Sequence, residues 1–146
     1  MWLTFGRNSI FWKDDMMAEE LAGKKVLLVD DDKDILAAMQ VALADLGLEI
    51  FTAFDGDAAV KQAQSVQPDV VVLDMMLPKR SGFLVMENIK KGKKKAEPPR
   101  VIMITGNQGS RHKTYAESLG VDIYLNKPFR MEKLLDAVRK LLGAAT

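Results

Sequence analysis

The chain has 146 residues, 48% hydrophobic and 28% charged, with a formal net charge of +1. This is enough for one compact domain of ordinary composition, and the balanced charge gives no global field for nucleic acid or an acidic membrane. Cysteine is absent, which excludes disulfides and thiolate metal sites. No run approaches the roughly 18 apolar residues of a membrane span. The N-terminus lacks a basic start followed by an apolar block, so no secretory signal is expected and a cytoplasmic location is the default.

Residues 1–23 follow no steady period, although Trp2, Phe5, Phe11 and Trp12 are large and apolar. They read as a flexible extension, with Met16 or Met17 as an alternative start, rather than as a docking arm. From Lys24 to Leu142 strands and helices alternate, and residues 143–146 form a short tail. The run Val26–Asp30 predicts a strand buried on both faces. Ile35, Met39, Ala42 and Leu46 recur at helical spacing up to Gly47, which stops that helix. Glu49–Ala53 predicts a second strand, and Asp55-Gly56-Asp57 a turn and cap before a helix with Ala59, Ala63 and Val66 inward. Pro68 ends that helix and Asp69–Asp74 predicts a third strand.

A loop from Met75 to Ser81 leads to a helix with Val85, Met86 and Ile89 inward. Lys90 to Pro99 is basic, ends in two prolines and predicts a surface loop. Arg100–Thr105 is the fourth predicted strand. A short helix with Tyr115, Ala116 and Leu119 follows, then a fifth strand over Val121–Leu125. Leu134, Val138 and Leu141 mark the last helix. Five strands alternating with five helices predict an α/β fold, a parallel sheet covered on both faces in three layers. Ligands of such folds sit outside the carboxyl ends of the strands.

Those ends carry the chemistry. Asp31 and Asp32 follow the first apolar run, Asp74 ends the third, Thr105 the fourth, and Lys127 follows the fifth. Two carboxylates about 4 Å apart repel by about 1 kcal/mol in water and about 4 kcal/mol at the effective dielectric of a protein surface. Gathered carboxylates therefore raise one another's pKa or attract a cation. Oxygen ligands without histidine or thiolate select a hard ion, and Mg²⁺ fits best, with Mn²⁺ as an alternative. A carboxylate in such a pocket can act as a nucleophile toward phosphorus. Asp74, central in the sheet, is the candidate. The Thr105 hydroxyl can donate to a phosphoryl oxygen, and Gly106 leaves room for the group to enter. An aspartate after a strand is commonly only a turn former or helix cap, but five polar groups at matching strand ends are poorly explained that way.

Lys24 to Leu142 resembles the receiver domain of two-component response regulators. The resemblance rests on Val-Asp-Asp-Asp at the first strand, Asp74-Met75-Met76-Leu77-Pro78 with Gly82 after the third, Ile104-Thr105-Gly106, and Tyr124-Leu125-Asn126-Lys127-Pro128-Phe129. It implies a flavodoxin-like sheet of order 2-1-3-4-5, with Asp74 accepting phosphate from a histidine kinase or phosphotransfer protein. Asp32, Asp74 and the backbone carbonyl of Met76 would hold Mg²⁺, with Asp31 acting through water. Thr105 and Lys127 would bind the phosphoryl oxygens, Tyr124 would report the switch by its rotamer, and the Lys127–Pro128 peptide would be cis. Met76 and Asn107 flank the path of a hydrolytic water and would set the phosphate lifetime. The implied output is a downstream protein target or separate output protein, contacted by a monomer or a phosphorylation-dependent dimer. The chain ends at Thr146 without an output domain, which reads as a stand-alone receiver.

Three other readings are weaker. A haloacid-dehalogenase-type phosphatase needs a second acid two residues after the nucleophile, where this chain has Met76. A nucleotide-binding module needs a glycine-rich loop after the first strand, where Asp31-Asp32-Lys33-Asp34 would repel phosphate. A receiver-like scaffold that binds without phosphorylation would not need every key residue. The five lysines of Lys90–Lys95 read as a solvated loop and not a nucleic-acid site. His112, the only histidine, reads as a surface residue. The nine methionines read as core filling.

Overall fold

The computed structural model describes residues 21–106 and 109–143. Its five strands are β1 (Lys25–Val29), β2 (Glu49–Ala53), β3 (Val70–Asp74), β4 (Arg100–Thr105) and β5 (Ile123–Asn126), all parallel in the order β2-β1-β3-β4-β5. Five α-helices alternate with them: α1 (Lys33–Leu43), α2 (Gly56–Val66), α3 (Gly82–Ile89), α4 (Ser110–Ser118) and α5 (Met131–Leu142). This is the flavodoxin-like α/β architecture that the sequence predicts.

The sheet divides the core in two because successive strand side chains point to opposite faces. Val26, Leu28, Val70, Val72, Ile102 and Ile104 pack against α1 and α5. Leu27, Val29, Val71, Leu73, Val101 and Met103 pack against α2, α3 and α4. No helix among the described residues is long and apolar enough to cross a membrane.

Several boundaries differ from the sequence expectation for local reasons. α1 buries Leu36, Met39 and Leu43, tightens into a 3₁₀ turn at Ala44–Leu46, and ends at Gly47 with φ of 77°. β5 begins at Ile123 rather than Val121. The Asp122 carboxylate occupies the start of that ladder, accepting the Val101 backbone N–H at 2.9 Å and Arg100 Nε at 3.0 Å. Leu21 falls in the predicted extension but is fully buried in the α1/α5 core. Residues 1–20, including the four aromatic residues, lie outside the described part, as do 144–146. His112 is half-buried rather than on the surface, stacked on Phe83 with ring centroids 6.1 Å apart. Lys90 is buried as well, against the expectation of a wholly solvated lysine loop. The Pro98–Pro99 and Lys127–Pro128 peptides are cis.

Candidate functional site

The register of β1 on β3 sets the site. Val29 pairs with Leu73, so the next residue of each chain, Asp30 and Asp74, emerges at the same height. Two residues earlier lie Leu28 and Val72, both on the α1/α5 side, and the alternation gives the two aspartates that same face. Both are almost fully buried, Asp30 at 1% and Asp74 at 4% exposure. Asp31 is exposed, and one carboxylate oxygen from each of Asp30, Asp31 and Asp74 lies within 4.8 Å of the others.

Lys127 spans the buried pair, its Nζ donating to Asp30 Oδ2 at 3.1 Å and to Asp74 Oδ2 at 3.3 Å. It is delivered by β5, where Thr105 pairs with Asn126, and the Lys127 N–H donates to the Thr105 carbonyl at 2.7 Å. The other oxygens are also engaged. Asp30 Oδ1 accepts the Asp32 N–H at 2.9 Å, and Asp74 Oδ1 accepts the Met76 N–H at 3.1 Å. Burial, and then the charge of Asp30, push the Asp74 carboxyl above its usual range. Burial disfavours the charged form of Lys127, but its bonds and proximity to Asp30 and Asp74 outweigh that and raise its pKa. The pocket thus concentrates more negative charge than its one lysine balances, the condition under which a bound cation is favoured.

Asp32 is a correction. It lies outside the carboxylate group, and its Oδ1 accepts the N–H groups of Asp34 at 2.9 Å and Ile35 at 3.2 Å as the N-cap of α1. Orphan amides at a helix start recruit such an oxygen. Asp30, taken from sequence as the last strand residue, is the aspartate level with Asp74. The signal was available: each apolar run ends one residue before an aspartate, at Val29 and at Leu73.

Thr105 is fully buried at the end of β4, and a side-chain hydrogen bond joins it to Tyr124. Burial raises the Tyr124 phenol pKa, and its ring packs on the α2–α4 side of the sheet. Gly106 is exposed, and a Cβ there would meet no atom within 4 Å; the fold does not require glycine at this position. Met76 is 68% exposed beside the pocket. Asn107 lies outside the described residues.

The loop between Asp74 and α3 is held from two sides. The Gly56 N–H donates to the Pro78 carbonyl at 3.1 Å, and the Gly82 N–H to the Met75 carbonyl at 2.8 Å. Arg80 Nε pairs with Asp57 at 3.0 Å, and Lys79 Nζ with Asp55 at 3.6 Å.

Residues 26–139 match the family model described as the response regulator receiver domain. The chain belongs to this receiver family. One curated relative, the alkaline phosphatase synthesis transcriptional regulatory protein PhoP of Bacillus subtilis (strain 168), is 34% identical over 119 residues, covering 82% of this chain and 48% of the relative. The chain spans about half the length of the curated relatives it matches. Among solved structures, the chemotaxis protein CheY4 of Vibrio cholerae aligns with TM-score 0.74 at 31% identity, covering 83% of this chain and all of that one (100%). The BeF3-activated DrrB receiver domain aligns with TM-score 0.72 at 33% identity, covering 82% and 97%.

A receiver is a two-component signalling module rather than a classical enzyme, and receivers partner with histidine kinases. The Asp30, Asp31 and Asp74 cluster is typical of the receiver Mg²⁺ site, and its all-oxygen donor set fits a hard divalent ion.

Proposed function

We propose that this receiver is a phosphorylation-activated switch in which Asp74 accepts a phosphoryl group from a histidine kinase or phosphotransfer protein in the cytoplasm. The observation that carries this reading is the placement of Asp74: buried at the end of the central strand β3, with Lys127 Nζ at 3.3 Å and two further carboxylates beside it. Asp30, Asp31, Asp74 and the backbone carbonyl of Met76 would hold Mg²⁺ (or Mn²⁺). When bound, the ion would screen the carboxylates from the incoming phosphoryl oxygens.

Transfer requires a carboxylate oxygen of Asp74 to bond to phosphorus as the phosphorus–nitrogen bond of the donor histidine breaks, its electron pair leaving with the imidazole. Lys127 is already directed at Asp74 and supplies positive charge for the developing oxyanion. Phosphorylation adds about −1.5 to −2 charge. Thr105 is bonded to Tyr124 before transfer, so capturing a phosphoryl oxygen competes with that bond and loosens the tyrosine. Moving a two-state element from 1:99 to 99:1 requires about 5.5 kcal/mol, within reach of a few charge-assisted hydrogen bonds of about 1.5–3 kcal/mol each. The face formed by α4, β5 and α5 would carry the change to a downstream protein or to a second copy of the chain.

Incubation with Mg²⁺ and acetyl phosphate, followed by intact-mass analysis, tests the reading. An acid-stable, base-labile gain of one phosphoryl group is expected, and none in Asp74→Asn. No gain in the wild type would leave a phosphorylation-independent scaffold; steady hydrolysis of phosphate esters would make it a phosphatase.

A further inference from the structure

The lysine-rich turn is not a uniform solvated loop. Lys90, at the end of α3, is 7% exposed, and its Nζ donates to the carbonyls of Lys94 at 3.1 Å, Lys95 at 3.1 Å, Glu97 at 2.7 Å and Pro99 at 3.2 Å. An ammonium has three protons, so these four acceptors share them. The backbone closes further around it: the Lys93 N–H donates to the Lys90 carbonyl at 2.9 Å, and the Lys94 N–H to Glu97 Oε1 at 2.6 Å. One lysine is thus spent as the hub of the turn. The others, Lys91, Lys93, Lys94 and Lys95, are exposed, and none of them forms an ion pair among the described residues. Holding four ammonium groups on ordered backbone incurs repulsion that a floppy loop would relax.

Lys91 and Lys93 also rim a cleft of about 580 Å³ with a mixed lining, in which Val60 and Ala63 of α2, Ile89 of α3 and Pro98 form an apolar part beside the polar Gln64, Gln67 and Asn88. Asp69 lines the same cleft, its Oδ2 held by the Lys25 N–H at 2.8 Å, and is the one acidic residue there against the two lysines. The cleft lies beside the starts of β3 and β4, at the opposite edge of the sheet from Asp74.

We propose that this cleft docks an acidic peptide segment of a partner, seating an apolar side chain between α2 and α3 while its carboxylates meet Lys91 and Lys93. Charge complementarity selects an anionic partner. The apolar part of the wall favours a peptide over nucleic acid: it offers a side chain a contact that a phosphate backbone would not use, the amides beside it can bond a peptide backbone, and no aromatic residue lines the cleft for base stacking. Because the cleft is remote from the aspartate pocket, binding does not rest on Asp74 accepting phosphate.

The test titrates the full chain with a fluorescein-labelled acidic peptide carrying a central leucine, alongside ¹⁵N-resolved NMR. Micromolar binding is expected, with shift changes at Val60, Lys91 and Lys93 and none at Asp74 or Thr105. The double variant Lys91→Glu/Lys93→Glu, changed only at exposed positions, should weaken binding at least tenfold with its spectrum still that of the folded protein. Val60→Gln should weaken it about fivefold. The reverse results overturn the proposal: no binding, indifference to either variant, equal binding of a peptide with serine for leucine, or tighter binding to duplex DNA or phosphatidylserine vesicles.

Discussion

At position 76 a methionine, two residues beyond Asp74 and 68% exposed, offers no side-chain donor or strong acceptor to a water approaching the phosphoryl group. An asparagine there could orient that water. Met76→Asn is therefore expected to shorten the lifetime of the phosphorylated form several-fold, read by the decay of the phosphoprotein mass; an unchanged or longer lifetime refutes the role. Asp74 itself makes a second prediction. Burial, then Asp30, raise its pKa above 3.8, so the folded, metal-free protein binds this proton more tightly than the unfolded chain does. By linkage, stability falls as pH rises from 3.8 through the folded value and stays lower above it. In EDTA at neutral pH, Asp74→Asn should melt above the wild type, the gap narrowing toward low pH. Mg²⁺ should raise the wild-type melting temperature, by about 2.7 kcal/mol of stability at a hundredfold excess over Kd, and raise that of the variant much less. The Asp30–Asp31–Asp32 run shows what could be read at this scale. That acid clusters at the strand end was plain from composition. Which oxygen faces inward depended on strand parity and on the cap requirement of α1, and a shift of one residue exchanged a member of the carboxylate cluster for a helix cap.

The segment joining β3 to α3 is fixed at the level of elements by two glycines. At Gly56 a Cβ would clash with the Arg80 carbonyl oxygen, and at Gly82 one would stand 2.7 Å from that of Asp74. Both contacts are with backbone, so the loop itself would have to move. Gly56→Ala is expected to cost about 1–3 kcal/mol as an overpacked site, and to slow phosphoryl uptake by displacing the loop that carries Met76. Chemical denaturation together with the acetyl phosphate assay measures both; a stable variant with normal uptake would show that the loop tolerates the shift. The exposed pairs Arg80–Asp57 and Lys79–Asp55 add little by comparison. Helical periodicity identified the inward faces of α3 and α5, because Val85, Met86, Ile89, Leu134, Val138 and Leu141 all lie on buried stripes. It did not identify the fate of Lys90, since no periodic rule predicts that an ammonium will be enclosed by carbonyls of its own following turn.

Across the whole molecule, strand order was legible only through family resemblance, whereas the alternation of elements already required a parallel sheet. The two cores on either side of that sheet explain why every residue of β3 is buried and why the strand runs without polar interruption to Asp74. The acidic pocket at one edge and the basic turn at the other have a joint consequence. The formal net charge is only +1, and within the described residues the aspartate pocket and the lysine-rich turn separate opposite charges along the strand direction. In the field of a charged partner, such a separation experiences a torque as well as a force. A charged partner would tend to rotate the molecule as it approached, presenting one pole before contact, an effect confined by salt to about 8 Å under physiological conditions.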